Sequence, residues 1–420
     1  MANRSVIFRE YDEINETNTN FNSDEIEELK EFALKNTHDK QGNYRPVLEL
    51  RNGKLKTQNY VGIIQTRKGK VLEILPKVDF GYGSDDDGEK TKKVFEQMLR
   101  TWLGVKHAQF NESGIRAMQR FNMLEIFVRL FLENLVRLTK RGLAKHYQLV
   151  EENLPCLKGR ILFPQHIRAN VANRARFYVQ YDDFNANRPA NRLIHSAIDK
   201  LKPMVRQPDN QQLLHQMQIY FSDVPISQNH DDDWRKQKID RAMQHYQAVM
   251  QWVGLFLFGQ GLITFSGTHI EHCLLFPMEQ IFEDFVADAF RKYQNHFRVQ
   301  TQKSKKYLAT TENRKSVFQM KPDITLKNNQ AQFILDTKWK SINKENTDSK
   351  HGINQTDMYQ LYAYGKKYKC NTVALIYPQT KYFKKQFCYE LDDNLRLLCL
   401  PFDVTKPKHS VKEIIAQLPC

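Results

Sequence analysis

Three residues in one short stretch have the types and spacing for joint chemistry. In KPDITLKNNQAQFILDTKWK (321–340), Asp323 opens one apolar run, and Asp336 and Lys338 close the next. Asp336 and Lys338 stand two apart on a predicted strand, so the side-chain period of two puts them on one face. A turn at Asn328-Asn329 folds the second strand back and brings Asp323 within reach of Asp336. Two carboxylates converging on one point repel each other unless a cation sits between them. Mg²⁺ suits such a pair, because it takes oxygen ligands and one or two protein carboxylates, leaving positions for phosphate oxygens and water. A lysine beside it would stabilise a pentavalent phosphate, or orient and deprotonate an attacking water. An acidic-x-Lys triplet is also frequent on solvated strand faces, so the surrounding elements must carry the rest.

Those elements fit. Asp336 ends the run Phe333-Ile334-Leu335, where a site at the end of a buried strand belongs. An amphipathic helix is predicted over 277–294, before the hairpin, and a second over 355–368, followed by a strand over 372–378. On the second helix Gln360 and Tyr364 are four apart and share a face. Helix, antiparallel strands, helix and strand make an α/β arrangement.

Upstream, an opening strand leads to the acidic segment SDEIEELKEFALKN, a helix with Ser23 or Asp24 as its cap. Residues 45–80 read as short strands with turns at Asn52-Gly53 and Lys68-Gly69. The polar stretch 81–93 reads as an exposed loop or linker. The middle reads as mostly helical, with helices over 123–143, 191–207 and 233–259 and a mixed stretch over 154–193. The expected organisation is therefore multi-domain α/β: a β-rich head (1–115), a helical middle (116–265) and a C-terminal α/β domain (266–420).

Bulk properties narrow the class. The chain has 420 residues, of which 41% are hydrophobic, enough for real cores. Its mean hydropathy is −0.63, and no run approaches the ~18 apolar residues of a membrane span. The N-terminus shows no apolar signal region. Six scattered cysteines form no CxxC pair, which fits a reducing, cytoplasmic setting better than zinc or a disulfide framework. His107, His146, His166 and His195 read as structural or surface residues. The net charge of +15 favours a polyanionic partner, and DNA is the natural one. No G-x-x-x-x-G-K-[ST] loop is present: RNGKLKT (51–57) lacks the first glycine. Any nucleotide hydrolysis therefore belongs to another chain.

Asp, about a dozen residues and Asp-x-Lys resembles the motif of the PD-(D/E)xK nucleases, and Q-x-x-x-Y on the following helix resembles their RecB-like branch. The likeness extends further. LKGRILFPQHI (157–167), FNANRPANRLIHSAI (184–198), MKPDITL with ILDTKWK, and MYQLYAYG before VALIYP stand in the order found in the McrC family. RLTKRGLAKHYQLVEENLPCLKGRI (137–161) is also McrC-like, and the stretch 60–80 is similar to the β-rich head of longer, LlaJI-type relatives. The resemblance implies a PD-(D/E)xK nuclease domain that cuts DNA with Mg²⁺ or Mn²⁺, held by Asp323, Asp336 and an acid of the preceding helix. Glu283 is the first choice for that acid and Glu279 the second. Lys338 and Gln360 complete the implied catalytic set, with Thr337 at a variable position. The resemblance further implies a prokaryotic restriction complex. There an AAA+ partner of McrB type, a hexameric ring, binds and hydrolyses GTP, and the head and middle of this chain dock on it and stimulate that hydrolysis. A stand-alone RecB-like repair nuclease and a non-catalytic regulator of an AAA+ motor are the alternatives.

Overall fold

The computed structural model describes residues 5–15, 21–35, 37, 44, 46–68, 70–77, 87–102, 123–258, 270–301, 306–342, 350–392 and 394–418. The chain is mixed α/β and divides into two compact units. One joins Met1–Met123 to Gly261–Cys420, and the other is Leu124–Gln260. The expected head and C-terminal domain thus fall in one unit. Among the described residues no helix is long and apolar enough to cross a membrane.

The N-terminal part runs β1 (Ser5–Arg9), β2 (Glu13–Ile14), α1 (Ser23–Lys35), β3 (Leu48–Arg51), β4 (Lys54–Thr57), β5 (Tyr60–Thr66), β6 (Val71–Leu75) and α2 (Asp87–Trp102). Asn52 and Gly53 link β3 to β4 with φ of 52° and 76°, the left-handed pair that a two-residue hairpin needs. The cap of α1 is Asn22, one residue before the expected position. Its side chain accepts the Glu25 N–H, and the Glu25 carboxylate accepts the Asn22 N–H, each at 2.9 Å, a reciprocal capping box. Phe8, Ile26, Leu29, Phe32, Leu48, Ile64, Leu72 and Ile74 form the core beneath.

The expected loop 81–93 is corrected over its second half. Residues 87–93 are the first turns of α2, and 81–86 lie outside the described residues. The polar composition misleads because the helix hides its charge: Lys92 is buried and pairs with buried Glu73 at 2.8 Å. Val94, Phe95, Met98 and Leu99 supply the apolar stripe.

The second unit holds α3 (Met123–Lys140) from Leu124 onward, then β7 (His146–Leu154), β8 (Arg160–Ile161), α4 (Phe163–Ala169), β9 (Phe177–Asn185), α5 (Pro189–Leu201), α6 (Pro208–Tyr220), α7 (His230–Lys236) and α8 (Gln247–Phe258). β7, β9 and β8 form an antiparallel sheet. The single helix expected over 233–259 is instead two, broken after Lys236. Residues 238–242 are exposed and offer no apolar stripe to bury. The chain then restarts where Asp240 Oδ1 accepts the Met243 N–H at 3.0 Å. Buried Tyr246 fixes the restart: its hydroxyl accepts the Ala144 N–H at 2.7 Å and donates to Asn191 Oδ1 at 2.8 Å. His166 and His195 are held by bonds within this unit, from the Tyr178 N–H to His166 Nδ1 and between His195 Nδ1 and Val224 O. His107 lies outside the described residues.

The chain returns to the first unit with β10 (Ile270–Pro277), antiparallel to β5, which completes a sheet of order β1-β6-β5-β10. Here Gly62 has φ of 146°, and a Cβ would stand 2.0 Å from Leu274 O, so only glycine allows the approach. Then follow α9 (Met278–Tyr293), β11 (Arg298–Thr301), β12 (Tyr307–Thr310), β13 (Ser316–Gln319), β14 (Ile324–Lys327), β15 (Gln332–Thr337), α10 (Gln355–Tyr368), β16 (Thr372–Pro378), β17 (Phe387–Asp392), β18 (Leu395–Phe402) and α11 (Pro407–Gln417). A six-stranded sheet has the order β11-β14-β15-β16-β18-β17, with β15, β16 and β18 parallel at its centre. β16 is buried along its whole length, as a central parallel strand covered on both faces must be. Leu361 and Tyr364 of α10 cluster with Ile334, Val373, Leu375 and Leu397. Phe282 of α9 meets Trp339 and Phe402, with ring centroids 5.3 and 6.2 Å apart.

Candidate functional site

The hairpin β14–β15 brings the two aspartates together by register. Ile324 pairs with Leu335, so one step further Asp323 stands opposite Asp336. Asp336 is the second-last residue of β15 and only 1% exposed, while Asp323 is half-buried. The site therefore lies where the parallel strands end, the usual place for ligands on such a sheet.

Four side chains of the expected set converge. Lys338 Nζ stands 2.7 Å from Asp336 Oδ2 and donates to Gln360 Oε1 at 3.4 Å. Gln360 Nε2 donates in turn to the Tyr364 hydroxyl at 3.1 Å. The Lys338 main chain is fixed as well, with its N–H on Ile376 O at 2.9 Å. Glu283 is half-buried on α9, and its charge acts on Asp323. Glu279, exposed and one turn earlier, acts on Asp336. Among the described residues no group of three or more His, Cys, Asp or Glu side chains is gathered tightly enough to hold a metal.

Two contributors are not evident from the sequence. Thr337, two residues from Leu335 on the strand face expected to point away, holds Asp323: its N–H and its hydroxyl donate to Asp323 Oδ2 at 2.7 and 2.9 Å. That orients the carboxylate and leaves Oδ1 without a donor among the described residues. Asp357, buried on α10, lies 3.8 Å from Lys338 Nζ and 3.3 Å from Lys340 Nζ. Its three-residue spacing from Gln360 on one helix face was the available signal. A third, more distant support is Glu10, which accepts the Trp339 indole N–H at 2.9 Å across 329 residues of sequence. No local pattern could reveal it.

The electrostatics match the geometry. Burial pushes the Asp323 carboxyl well above its usual range, and Asp336 and Glu283 push it further, against the pull of the two Thr337 donors. Burial also raises Asp336; Lys338 opposes this, while Asp357 and Glu279 add to it. Burial alone would lower the Lys338 ammonium, but the surrounding carboxylates, Asp336 first, outweigh it and keep the lysine charged. This is an oxygen-only donor pair in which burial and mutual repulsion disfavour ionisation, beside a fixed cation. A hard divalent ion would relieve the first, and a phosphate oxygen would be stabilised by the second.

Comparison with known proteins gives four matches. A family model described as McrBC 5-methylcytosine restriction system component matches residues 55–378. The Type IV methyl-directed restriction enzyme EcoKMcrBC of Escherichia coli (strain K12) is 25% identical over 107 residues, 26% of this chain and 30% of that protein. Less than a third of that relative is thus spanned. The chain is similar to one solved in a refined half-complex from a tetradecameric assembly of Thermococcus gammatolerans McrB AAA+ hexamers with bound McrC. The TM-score is 0.68 at 16% identity, covering 98% of this chain and 100% of that one. A chain of the cryo-EM structure of the Thermococcus gammatolerans McrBC complex matches with a TM-score of 0.50 at 18% identity, over 70% and 89% of the two chains. At these identities the likeness concerns the fold.

Proposed function

Because the chain belongs to the family of McrBC 5-methylcytosine restriction system components, we propose that it is the DNA-cutting subunit of a GTP-dependent restriction complex. The observation that carries this reading is half-buried Asp323 opposite buried Asp336, with Lys338 beside them, at the end where the parallel strand β15 closes. A nuclease domain of the PD-(D/E)xK class accounts for the sheet order, the hairpin and the helix that follows.

Asp323 and Asp336 would hold Mg²⁺ or Mn²⁺, with Glu283 as the nearby acid, since two carboxylates suffice for magnesium and neither has its burial offset by a full set of donors. When bound, the ion supplies Lewis-acid stabilisation of the phosphoryl group and a more acidic water. Thr337 holds Asp323 by Oδ2, which leaves Oδ1 to serve as a ligand. Lys338 stays charged against Asp336 and offers its ammonium to the phosphate undergoing in-line attack. Gln360, itself positioned by Tyr364, limits where that ammonium can go. Asp357 completes the counter-charge.

The partner in this reading is DNA together with an AAA+ ring of McrB type that binds GTP, for which this sequence has no phosphate loop. Tyr147, Leu149, Leu157, Phe163, Ile167 and Phe184 stand exposed on and around the β7–β9 sheet, and such apolar exposure marks protein docking. The test is reconstitution with the AAA+ protein, plasmid DNA, Mg²⁺ and GTP. Cutting should require all four. Cutting by the chain alone, without partner or nucleotide, would instead make it a stand-alone repair nuclease. Stimulated GTP hydrolysis with no cutting would make it a regulator.

A further inference from the structure

The two-stranded ribbon β12–β13 stands apart from the sheets around the site. Its antiparallel register pairs Tyr307 with Gln319, Ala309 with Val317 and Thr310 with Ser316, which sets Leu308 opposite Phe318. Tyr307 and Val317 are half-buried, but Leu308 is 52% and Phe318 73% exposed. A lone hairpin is marginally stable in water, and holding its two large apolar side chains in solvent adds nothing to that stability. Phe318 also has φ of 58°, a backbone state that bulky residues rarely adopt and that tends to mark function. Arg314 and Lys315 lie exposed at the turn, and Lys321 follows the second strand. Glu312 is the sole acidic residue between 306 and 321.

This ribbon is tied to the site at its base. Lys306 Nζ donates to Lys367 O at 3.0 Å and lies 4.3 Å from the centre of the Tyr368 ring. Lys367 Nζ returns a bond to Leu308 O at 3.4 Å. Lys367 stands two turns beyond Gln360 on α10, about 10 Å along the helix. From the other strand, Gln319 precedes Asp323 by four residues, a reach of at most ~14 Å. Those spans equal about three or four base steps of a duplex at a rise of ~3.4 Å each.

We propose that the ribbon enters the minor groove of duplex DNA beside the phosphate cut at the Asp323–Asp336–Lys338 site, with Phe318 and Leu308 against the bases and Arg314 and Lys315 on phosphates. The inference rests on the cutting-site reading above. Two-stranded ribbons enter either groove, and exposed Phe and Leu are the side chains that wedge between base steps from the minor groove. The basic turn matches the charge of nucleic acid, which is why DNA rather than a protein is assigned as the occupant.

The test places a photo-crosslinker at the apolar tip, Phe318→p-benzoylphenylalanine, in the full chain assembled with its AAA+ partner and an end-labelled duplex. Asp336→Ala is added so that the duplex stays whole. Irradiation should attach the label to this chain. Crosslinks to protein alone, or none, would overturn the proposal. Binding of the same duplex, read by fluorescence anisotropy across a salt series, gives a second measure. The double change Arg314→Ala with Lys315→Ala should lower the salt slope by about 1.8, the loss of two phosphate contacts. Phe318→Ala should weaken binding at least about fivefold at constant slope, as loss of one stacked base does. Unchanged slope and affinity in both would overturn it. If the Asp336→Ala complex still cuts, the cutting-site reading fails, while the crosslink continues to report on the ribbon independently.

Discussion

Replacing Glu10 with glutamine should stabilise the protein at pH 8 and leave it nearly unchanged at pH 5. Glu10 is fully buried. Its Oε2 accepts the Trp339 indole N–H and the Lys77 N–H, each at 2.9 Å, while Oε1 has no hydrogen-bond partner among the described residues. Burial pushes the carboxyl from 4.5 up to about 7; the two donors pull it back and Glu279 adds to the rise. In the unfolded chain the group ionises near 4.5, and in the folded chain only near 7, so folding retains a proton between those values. Stability present below pH 4.5 is therefore lost as pH rises to about 7 and stays lost above. The gap corresponds to roughly 3 kcal/mol. Glutamine mimics the protonated acid at every pH: its carbonyl keeps both N–H donors, and it never has to ionise in the core. For a unit of this size the difference is roughly 5 °C in Tm at pH 8. Scanning calorimetry of the wild type and Glu10→Gln at pH 5, 6, 7 and 8 reads it directly, because all other titrations cancel in the comparison. A Tm difference that is the same at pH 5 and pH 8 would refute the reasoning.

Three further substitutions probe the site and its support. Asp323→Asn keeps an oxygen for the Thr337 donors but removes one of two mutually repelling carboxylates; in metal-free buffer at pH 8 it should raise Tm by ~2 °C or more while abolishing cutting, measured by thermal shift and plasmid assay. Thr337→Val removes the 2.9 Å hydroxyl bond to Asp323 and keeps the N–H bond. A lost hydrogen bond to a charged group costs about 1.5–3 kcal/mol, and cutting should fall about tenfold or more as the carboxylate loses its orientation. Gly62→Ala would press a Cβ 2.0 Å from Leu274 O at a φ of 146°; denaturant unfolding should show a loss of ~4 kcal/mol or more, or no folded protein.

What the sequence revealed was local. The hairpin 324–337, the helix Gln355–Tyr368 and the strand Thr372–Pro378 were legible because period and turn chemistry act over a few residues. Asp323, Asp336 and Lys338 could be read as one group for the same reason, because a hairpin register brings them together; Gln360 joined them through the likeness to the McrC family. Long-range pairing was not legible. β10 completes the sheet of β5 from some 200 residues away, and Glu10 reaches Trp339 across 329. α2 was misread at its start because Lys92 finds Glu73 in the core, which composition alone cannot foretell. The part Thr337 plays was hidden for a subtler reason. Strand alternation gives the direction of a side chain, but a short hydroxyl beside its own N–H still reaches a carboxylate across the ladder.

The central claim is that Asp323, Asp336 and Lys338 form a DNA-cutting site, and plasmid scission by the assembled complex with Mg²⁺ and GTP tests it most directly. Comparing wild type with Asp336→Ala, the account predicts a loss of at least about a thousandfold in scission with GTP hydrolysis by the partner still stimulated. Scission by Asp336→Ala within tenfold of wild type would contradict it.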